Sequence, residues 1–62
     1  MDNLEQSIID ILTEDSEATW LISKRLNMKT ARVRATMKGM EQRGLVRRHH
    51  MTSKNNIIWV KM

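Results

Sequence analysis

The chain has 62 residues, a formal net charge of +4, and no cysteine or proline. A chain of this length forms one domain, residues 1–62, with a small core, and the lack of cysteine excludes disulfides and thiolate metal sites. Its longest apolar run, IIWV, is far shorter than the ~20 residues that span a bilayer, and MDNLEQ lacks the basic flank of a secretory signal, so we expect a cytoplasmic protein without a membrane partner.

The stretch DNLEQSIIDILTED predicts the first helix. Its apolar residues recur at the spacing of one helical face: Leu4, Ile8, Ile11 and Leu12. Asp2 and Glu5 are three residues apart, which resembles a capping box, and both acids suit the positive end of a helix dipole.

After the acidic break TEDSE, the segment TWLISKRL predicts a short second helix. Thr19 is the expected cap, Ile22 and Leu26 lie four apart on one face, and Ser23 is small enough to face a neighbouring helix. We expect Asn27 to end this helix in the left-handed conformation, so that the chain turns sharply there.

A third helix is predicted from about Thr30 to Arg43, with Val33, Met37 and Met40 on one stripe and Gly44 just past its end. Beyond it, LVRRHHM and IIWVKM have strand composition and are separated by the polar stretch TSKNN, which is typical of a hairpin turn. The predicted fold is therefore α+β, with three helices followed by a C-terminal two-stranded β-hairpin.

Charge is divided unevenly along the chain. The first 17 residues contain six of the seven acidic residues and no Lys or Arg, whereas residues 18–62 contain all 11 Lys and Arg and only one acid, Glu41. One acidic element and one basic side indicate a polyanionic partner. An ordinary solvated surface is the alternative, because a charge division in sequence need not persist in space.

The third helix is basic and shallow on the face opposite its apolar stripe. At 100° per residue that face contains Ala31, Ala35, Lys38 and Gln42, flanked by Arg32 and Gly39 on one side and Arg34 on the other. Small residues along the centre and long cations at the flanks suit a helix that enters the roughly 12 Å wide major groove of DNA. The alternative is that the alanines are good helix formers on a solvated face.

In the DNA-binding interpretation each residue type has a role. Ala31 or Ala35 contacts a thymine methyl group and Arg32 or Arg34 a guanine edge, while Lys29, Thr30 and Lys38 bind phosphates. Gly39 mildly favours this interpretation, because glycine inside a helix costs about 0.5–1 kcal/mol relative to alanine and usually needs a reason such as close backbone approach. Neutral drift at a tolerant position is the alternative explanation.

The segment TWLISKRLNMKTARVRATMKGMEQRGLVRRHH, followed by a polar tip and IIWV, resembles the winged helix-turn-helix family. The family pattern is a spaced set of apolar residues leading through GLV into a basic wing, here Val33, Met37, Met40, Gly44, Leu45 and Val46. The resemblance extends from the first helix to Trp59. It is greatest to small bacterial regulators of fimbrial operons, and the multiple-antibiotic-resistance type shares the pattern from the third helix into the wing.

This resemblance implies a sequence-specific double-stranded DNA-binding protein that regulates transcription. The third helix would lie in the major groove, and the hairpin would form a wing on the adjacent backbone or minor groove through Arg47, Arg48, Lys54 and Asn55. The chain departs from the family where it has Asn27 instead of the common glycine and Lys29 instead of a capping Ser or Thr. Winged helices that bind left-handed DNA have Asn and Tyr where this chain has Arg34 and Lys38, so that activity is not expected.

No catalytic or cofactor pattern is present. The serines have no Asp-paired His beside them, and no glycine loop cradles a phosphate. His49 and His50 are consecutive on a predicted strand and point to opposite faces, which makes a poor metal site. We therefore expect no enzyme activity, no cofactor, no metal and no small-molecule ligand.

Two tryptophans have open roles. Trp59 is expected to pack in the core under the wing, although its indole N–H would also suit a phosphate, and Trp20 is either a lid on the core or a partner contact.

An interaction adaptor, or a phage or plasmid accessory protein that bends DNA, remains an alternative function. Because one helix and one wing read about four to six base pairs, we expect a homodimer or a partner regulatory protein.

Overall fold

The computed structural model describes residues 2–49 and 57–62. The elements follow one another as α1 (Asn3–Glu14), β1 (Glu17–Ala18), α2 (Thr19–Leu26), α3 (Thr30–Gln42), β2 (Val46–Arg48) and β3 (Ile58–Lys61). The strands form one antiparallel sheet in the order β1-β3-β2. The predicted α+β order of three helices followed by a hairpin is confirmed, with β1 added.

Helix α1 begins with the capping box that the sequence predicted. The backbone N–H of Glu5 donates to Asp2 Oδ1 at 2.8 Å, and the backbone N–H of Asp2 donates to Glu5 Oε1 at 3.3 Å. Ile8 and Leu12 are buried in the core, while Leu4 and Ile11 pack against it half-buried. The capping box thereby provides acceptors for the backbone N–H groups of Asp2 and Glu5 within the first turn.

Helix α2 begins differently from the prediction. Its N-cap is Ala18 without a side-chain hydrogen bond, so the expectation that Thr19 caps this helix is wrong. The Thr19 hydroxyl is buried and instead donates to the carbonyl oxygen of Ile57 at 3.1 Å. The indole N–H of Trp59 donates to the same hydroxyl oxygen at 2.7 Å. A long-range contact thus replaces the local cap.

The turn from α2 to α3 is fixed by backbone and side-chain bonds. Asn27 has the left-handed conformation that the sequence predicted, with φ 54° and ψ 49°. Ser23 faces α3, as expected, and its hydroxyl oxygen lies 3.0 Å from that of Thr30. These contacts set the angle at which α3 leaves the turn.

The carboxyl end of α3 is held from two sides. Gly44, with a φ of +77°, follows the helix as expected, because few other residues adopt this conformation without strain. Arg43 forms an ion pair with Glu5 at the start of α1, and Arg48 of β2 pairs with Glu41 of α3. The end of α3 is therefore tied to both α1 and the hairpin.

Strand β1 was not predicted from the sequence. It has two residues, which pair with β3 through Glu17 opposite Trp59 and Ala18 opposite Ile58. Two residues are too few to show the alternation by which a strand is recognised, and they follow an acidic polar stretch. Their conformation depends on β3, which is about 40 positions away along the chain.

The core lies between the three helices and the inner face of the sheet. Its buried apolar residues are Ile8, Leu12, Ile22, Val33, Met37, Met40, Val46, Ile57 and Trp59. In the described ranges, none of the helices has the length and apolar character needed to cross a membrane.

Candidate nucleic-acid interface

Helix α3 presents the face that the periodicity predicted to point outward. Val33, Met37 and Met40 are fully buried. The opposite side carries exposed residues at its centre, with Arg34 and Gly39 half-buried at the edges. The exposed set consists of Ala31, Arg32, Ala35, Lys38 and Gln42. The result is a helix surface that is low at Ala31 and Ala35 and basic around them.

The start of α3 concentrates positive charge. Lys29 occupies the N-cap position without a side-chain hydrogen bond, and the first turn contains no acidic residue. A helix amino end already carries a partial positive charge from its peptide dipoles, so Lys29 and Arg32 add to it. This arrangement disfavours the isolated helix and favours a bound anion.

Thr30 has a role in the turn. The hydroxyl of Ser23 donates to the carbonyl oxygen of Trp20 at 2.7 Å, so the proton in the Ser23–Thr30 contact comes from Thr30. A phosphate bound through the Thr30 hydroxyl would have to replace this bond.

Ion pairing separates the arginines into two groups. Arg25 pairs with Glu17 at 3.3 Å, Arg43 with Glu5, and Arg48 with Glu41 at 3.2 Å. All seven acidic residues lie in the part of the chain that the structure describes. Within that part, the cations of the α3 surface form no ion pair: Lys29, Arg32, Arg34 and Lys38. The three acids that form ion pairs thus contact arginines outside this set of four cations, and the α3 surface keeps its charge.

At the root of the hairpin, Arg47 and Arg48 differ although both are exposed. Arg48 pairs with Glu41 and lies over the Trp59 ring, 5.4 Å from its centroid. Arg47 has no ion pair with the described acids. Lys54 and Asn55, the other expected wing residues, fall outside the described residues.

The two tryptophans occupy different environments. Trp59 is fully buried, and its indole N–H is bound to Thr19, which matches the core role that the sequence favoured. Trp20 is 51% exposed on α2.

The Thr19 and Arg48 contacts were not predicted from the sequence. In the sequence, the one feature that could have indicated the Arg48 contact is Glu41, which is the single acidic residue in the basic part of the chain.

Residues 2–49 and 57–62 contain no group of three His, Cys, Asp or Glu residues placed to hold a metal ion. They also contain no buried side-chain polar atom that lacks a hydrogen-bond partner.

Comparison with known proteins found likeness only at the level of structure. No family model matches the chain, and no curated protein sequence matches it significantly. The chain superposes on the crystal structure of a zinc-responsive MarR family member, ZitR from Lactococcus lactis, with a TM-score of 0.88 at 16% identity. It superposes on a double mutant of the same protein with a TM-score of 0.87 at 17% identity.

These superpositions establish the fold. They cover 100% of this chain but 44% and 43% of the two solved chains, so this chain spans less than half of their length. The fold is the winged helix that the sequence resembled, with α2 and α3 as the helix-turn-helix and β2 and β3 as the root of the wing.

Proposed function

We propose that this chain is a sequence-specific double-stranded DNA-binding protein that regulates transcription in the cytoplasm, associated with the nucleoid. In this proposal α3 lies in the major groove, and the hairpin contacts the adjacent backbone or minor groove. The observation that carries the proposal is the exposed α3 surface, where four cations have no acidic partner among the described residues. Unpaired exposed cations are available to phosphates and base edges without breaking internal contacts.

The shape of α3 supports entry into a groove. Ala31 and Ala35 are exposed along its centre, so the helix axis can approach the base edges closely. Arg32 and Arg34 flank them, and a guanidinium can donate two hydrogen bonds to one guanine. Lys29 and Lys38 lie nearer the ends of this surface, where phosphates are the expected partners.

The fold supports the same proposal by analogy. In helix-turn-helix proteins the second helix of the motif enters the major groove, and α3 occupies that position here. The likeness to a MarR family member concerns the fold, which does not by itself establish an activity. The zinc response is a property of that protein.

The proposal is tested by titrating the protein against random-sequence and selected duplex DNA at two salt concentrations. We expect binding that weakens steeply with salt, and an enriched sequence. Arg34→Ala should reduce discrimination at one base pair by about 1–3 kcal/mol. Arg25→Ala removes an equal charge from α2, where Arg25 pairs with Glu17, and should leave the selected sequence unchanged.

Two results would contradict this proposal. Absence of binding at both salt concentrations would remove DNA as the partner. Salt-sensitive binding without any enriched sequence would instead support the accessory DNA-bending function, which a measurement of bound DNA curvature would then examine.

Exposed Trp20 favours a second candidate, a protein-interaction adaptor. Tryptophan is enriched at the centres of protein interfaces, and this side chain is 51% exposed. If the chain binds no DNA, loss of partner binding in Trp20→Ala would support this function.

A further inference from the structure

Arg48 of strand β2 is held by two side chains from different elements. Its Nε donates to Glu41 Oε2 of α3 at 3.2 Å, and its guanidinium carbon lies 5.4 Å from the centre of the Trp59 ring on β3. Glu41 is the single acidic residue after position 17. The one acid available within the basic half of the chain is therefore used to hold this arginine.

The contacts continue from Trp59 into α2. The indole N–H of Trp59 donates to Thr19 Oγ1 at 2.7 Å, and both the hydroxyl and the backbone N–H of Thr19 donate to the carbonyl oxygen of Ile57, at 3.1 and 2.9 Å. The wing root is thus connected to α3 through Glu41 and to the start of α2 through Thr19. We name the set Glu41, Arg48, Trp59 and Thr19 the wing clamp.

We propose that Arg48 is a positioning residue that sets the angle of the wing root, strands β2 and β3, relative to α3, and that it does not contact DNA. To reach a phosphate, its guanidinium would have to leave both Glu41 and the Trp59 ring. Arg47 is the adjacent residue of the same strand, where successive side chains point to opposite faces. Arg47 has no ion pair with the described acids and is therefore the residue of β2 that is free to bind a phosphate. The consequence for DNA binding rests on the proposed function, whereas the clamp itself does not.

The DNA arm of the test compares the salt dependence of duplex binding for Arg48→Ala and its matched control Arg47→Ala. Each phosphate contact contributes about 0.9 to the slope of log affinity against log salt. Arg47→Ala should reduce the magnitude of the slope by about that amount. Arg48→Ala should weaken binding while leaving the slope unchanged, because no phosphate contact is lost. A slope reduced by about 0.9 in Arg48→Ala would overturn the proposal.

The second arm uses the protein without DNA. The His49 backbone N–H donates to the Ile58 carbonyl oxygen at 2.8 Å and reports on opening of the hairpin next to the clamp. An exposed ion pair and a cation–π contact each stabilise a structure modestly, so their loss allows the hairpin to open more often. We therefore expect Arg48→Ala to accelerate hydrogen exchange of this amide by roughly three- to tenfold. Glu41→Gln, which keeps the arginine and the side-chain size, should act in the same direction, and Arg47→Ala should have no effect.

The two arms distinguish failure of the proposed DNA-binding function from failure of the wing clamp. If the wild-type protein does not bind DNA, the proposed function is wrong, but the exchange rates still decide whether the clamp exists. Unchanged exchange in both Arg48→Ala and Glu41→Gln would overturn the clamp even if DNA binding is confirmed. Should Arg48→Ala fail to fold, Glu41→Gln alone decides the exchange arm.

Discussion

Thr19, at the start of α2, binds two residues near the end of the chain through its side-chain hydroxyl. Its hydroxyl accepts from the Trp59 indole N–H and donates to the Ile57 carbonyl oxygen inside the core. A hydroxyl can do both at once, because it has one proton and two lone pairs. The Thr19 hydroxyl oxygen therefore holds both Trp59, the largest buried side chain, and the backbone at Ile57, just before β3.

Thr19→Val tests this dependence at constant shape. The substitution leaves the Trp59 indole N–H buried without an acceptor, so we expect the free energy of unfolding to fall by about 1–3 kcal/mol. Thr19→Ser keeps the hydroxyl and should cost no more than about 1 kcal/mol for the lost methyl group. Urea denaturation of both variants measures the difference, and equal losses would contradict the assigned role.

At the scale of the element, α3 contains several features that disfavour a stable helix. It has a cationic start, no side-chain cap and a glycine in its interior. Apart from the adjacent residues and the backbone of α3 itself, no described atom lies within 4 Å of the position that a Cβ at Gly39 would occupy, so packing against the rest of the described chain does not require glycine there. These features are consistent with the proposed role of α3 in DNA binding.

Two glycine substitutions of identical chemistry should have opposite effects on stability. Gly39→Ala should raise the free energy of unfolding by about 0.5–1 kcal/mol, because alanine favours helix and meets no described neighbour. Gly44→Ala should lower it by about 1–2 kcal/mol, because its φ is +77°. Denaturant midpoints measure both.

Gly39→Ala has a second expected result. If the helix backbone approaches DNA at this position, the variant should bind duplex DNA less tightly although it is more stable. Unchanged affinity would show that Gly39 does not serve close approach.

At the scale of the whole molecule, charge and size act together. The Arg43–Glu5 pair ties the acidic first helix to the end of α3, while the α3 surface keeps its cations unpaired among the described acids. A folded chain of 62 residues buries only about 60% of the surface of its unfolded form, so the expected stability margin is small. Under the proposed function, a single α3 would read too few base pairs to select one site in a genome.

We therefore expect two copies of the chain on one selected duplex with a palindromic site. Sedimentation equilibrium should give a complex mass equal to the duplex plus two chains of 7.3 kDa. A duplex containing one half-site is the control and should bind one copy with lower affinity. A single copy bound to the full site with undiminished affinity would exclude the homodimer and leave a partner regulatory protein as the alternative.

The sequence by itself determined the features that depend on neighbouring residues. The Asp2–Glu5 capping box, the left-handed Asn27 and the glycine after α3 were all predicted, because each arises from interactions within a few positions. The buried stripe of α3 was predicted for the same reason, since helical periodicity places Val33, Met37 and Met40 together.

Only the tertiary structure decided which distant groups meet. Strand β1, the Thr19 bonds and the Arg48 contacts join residues that the sequence presents in unrelated contexts, with Thr19 and Trp59 forty positions apart. No local pattern specifies such pairs, because their geometry is set by the packing of α2 and α3 against the sheet. The sequence therefore predicted which surface of α3 is exposed. The fold determined which arginines form ion pairs with the described acids and which do not.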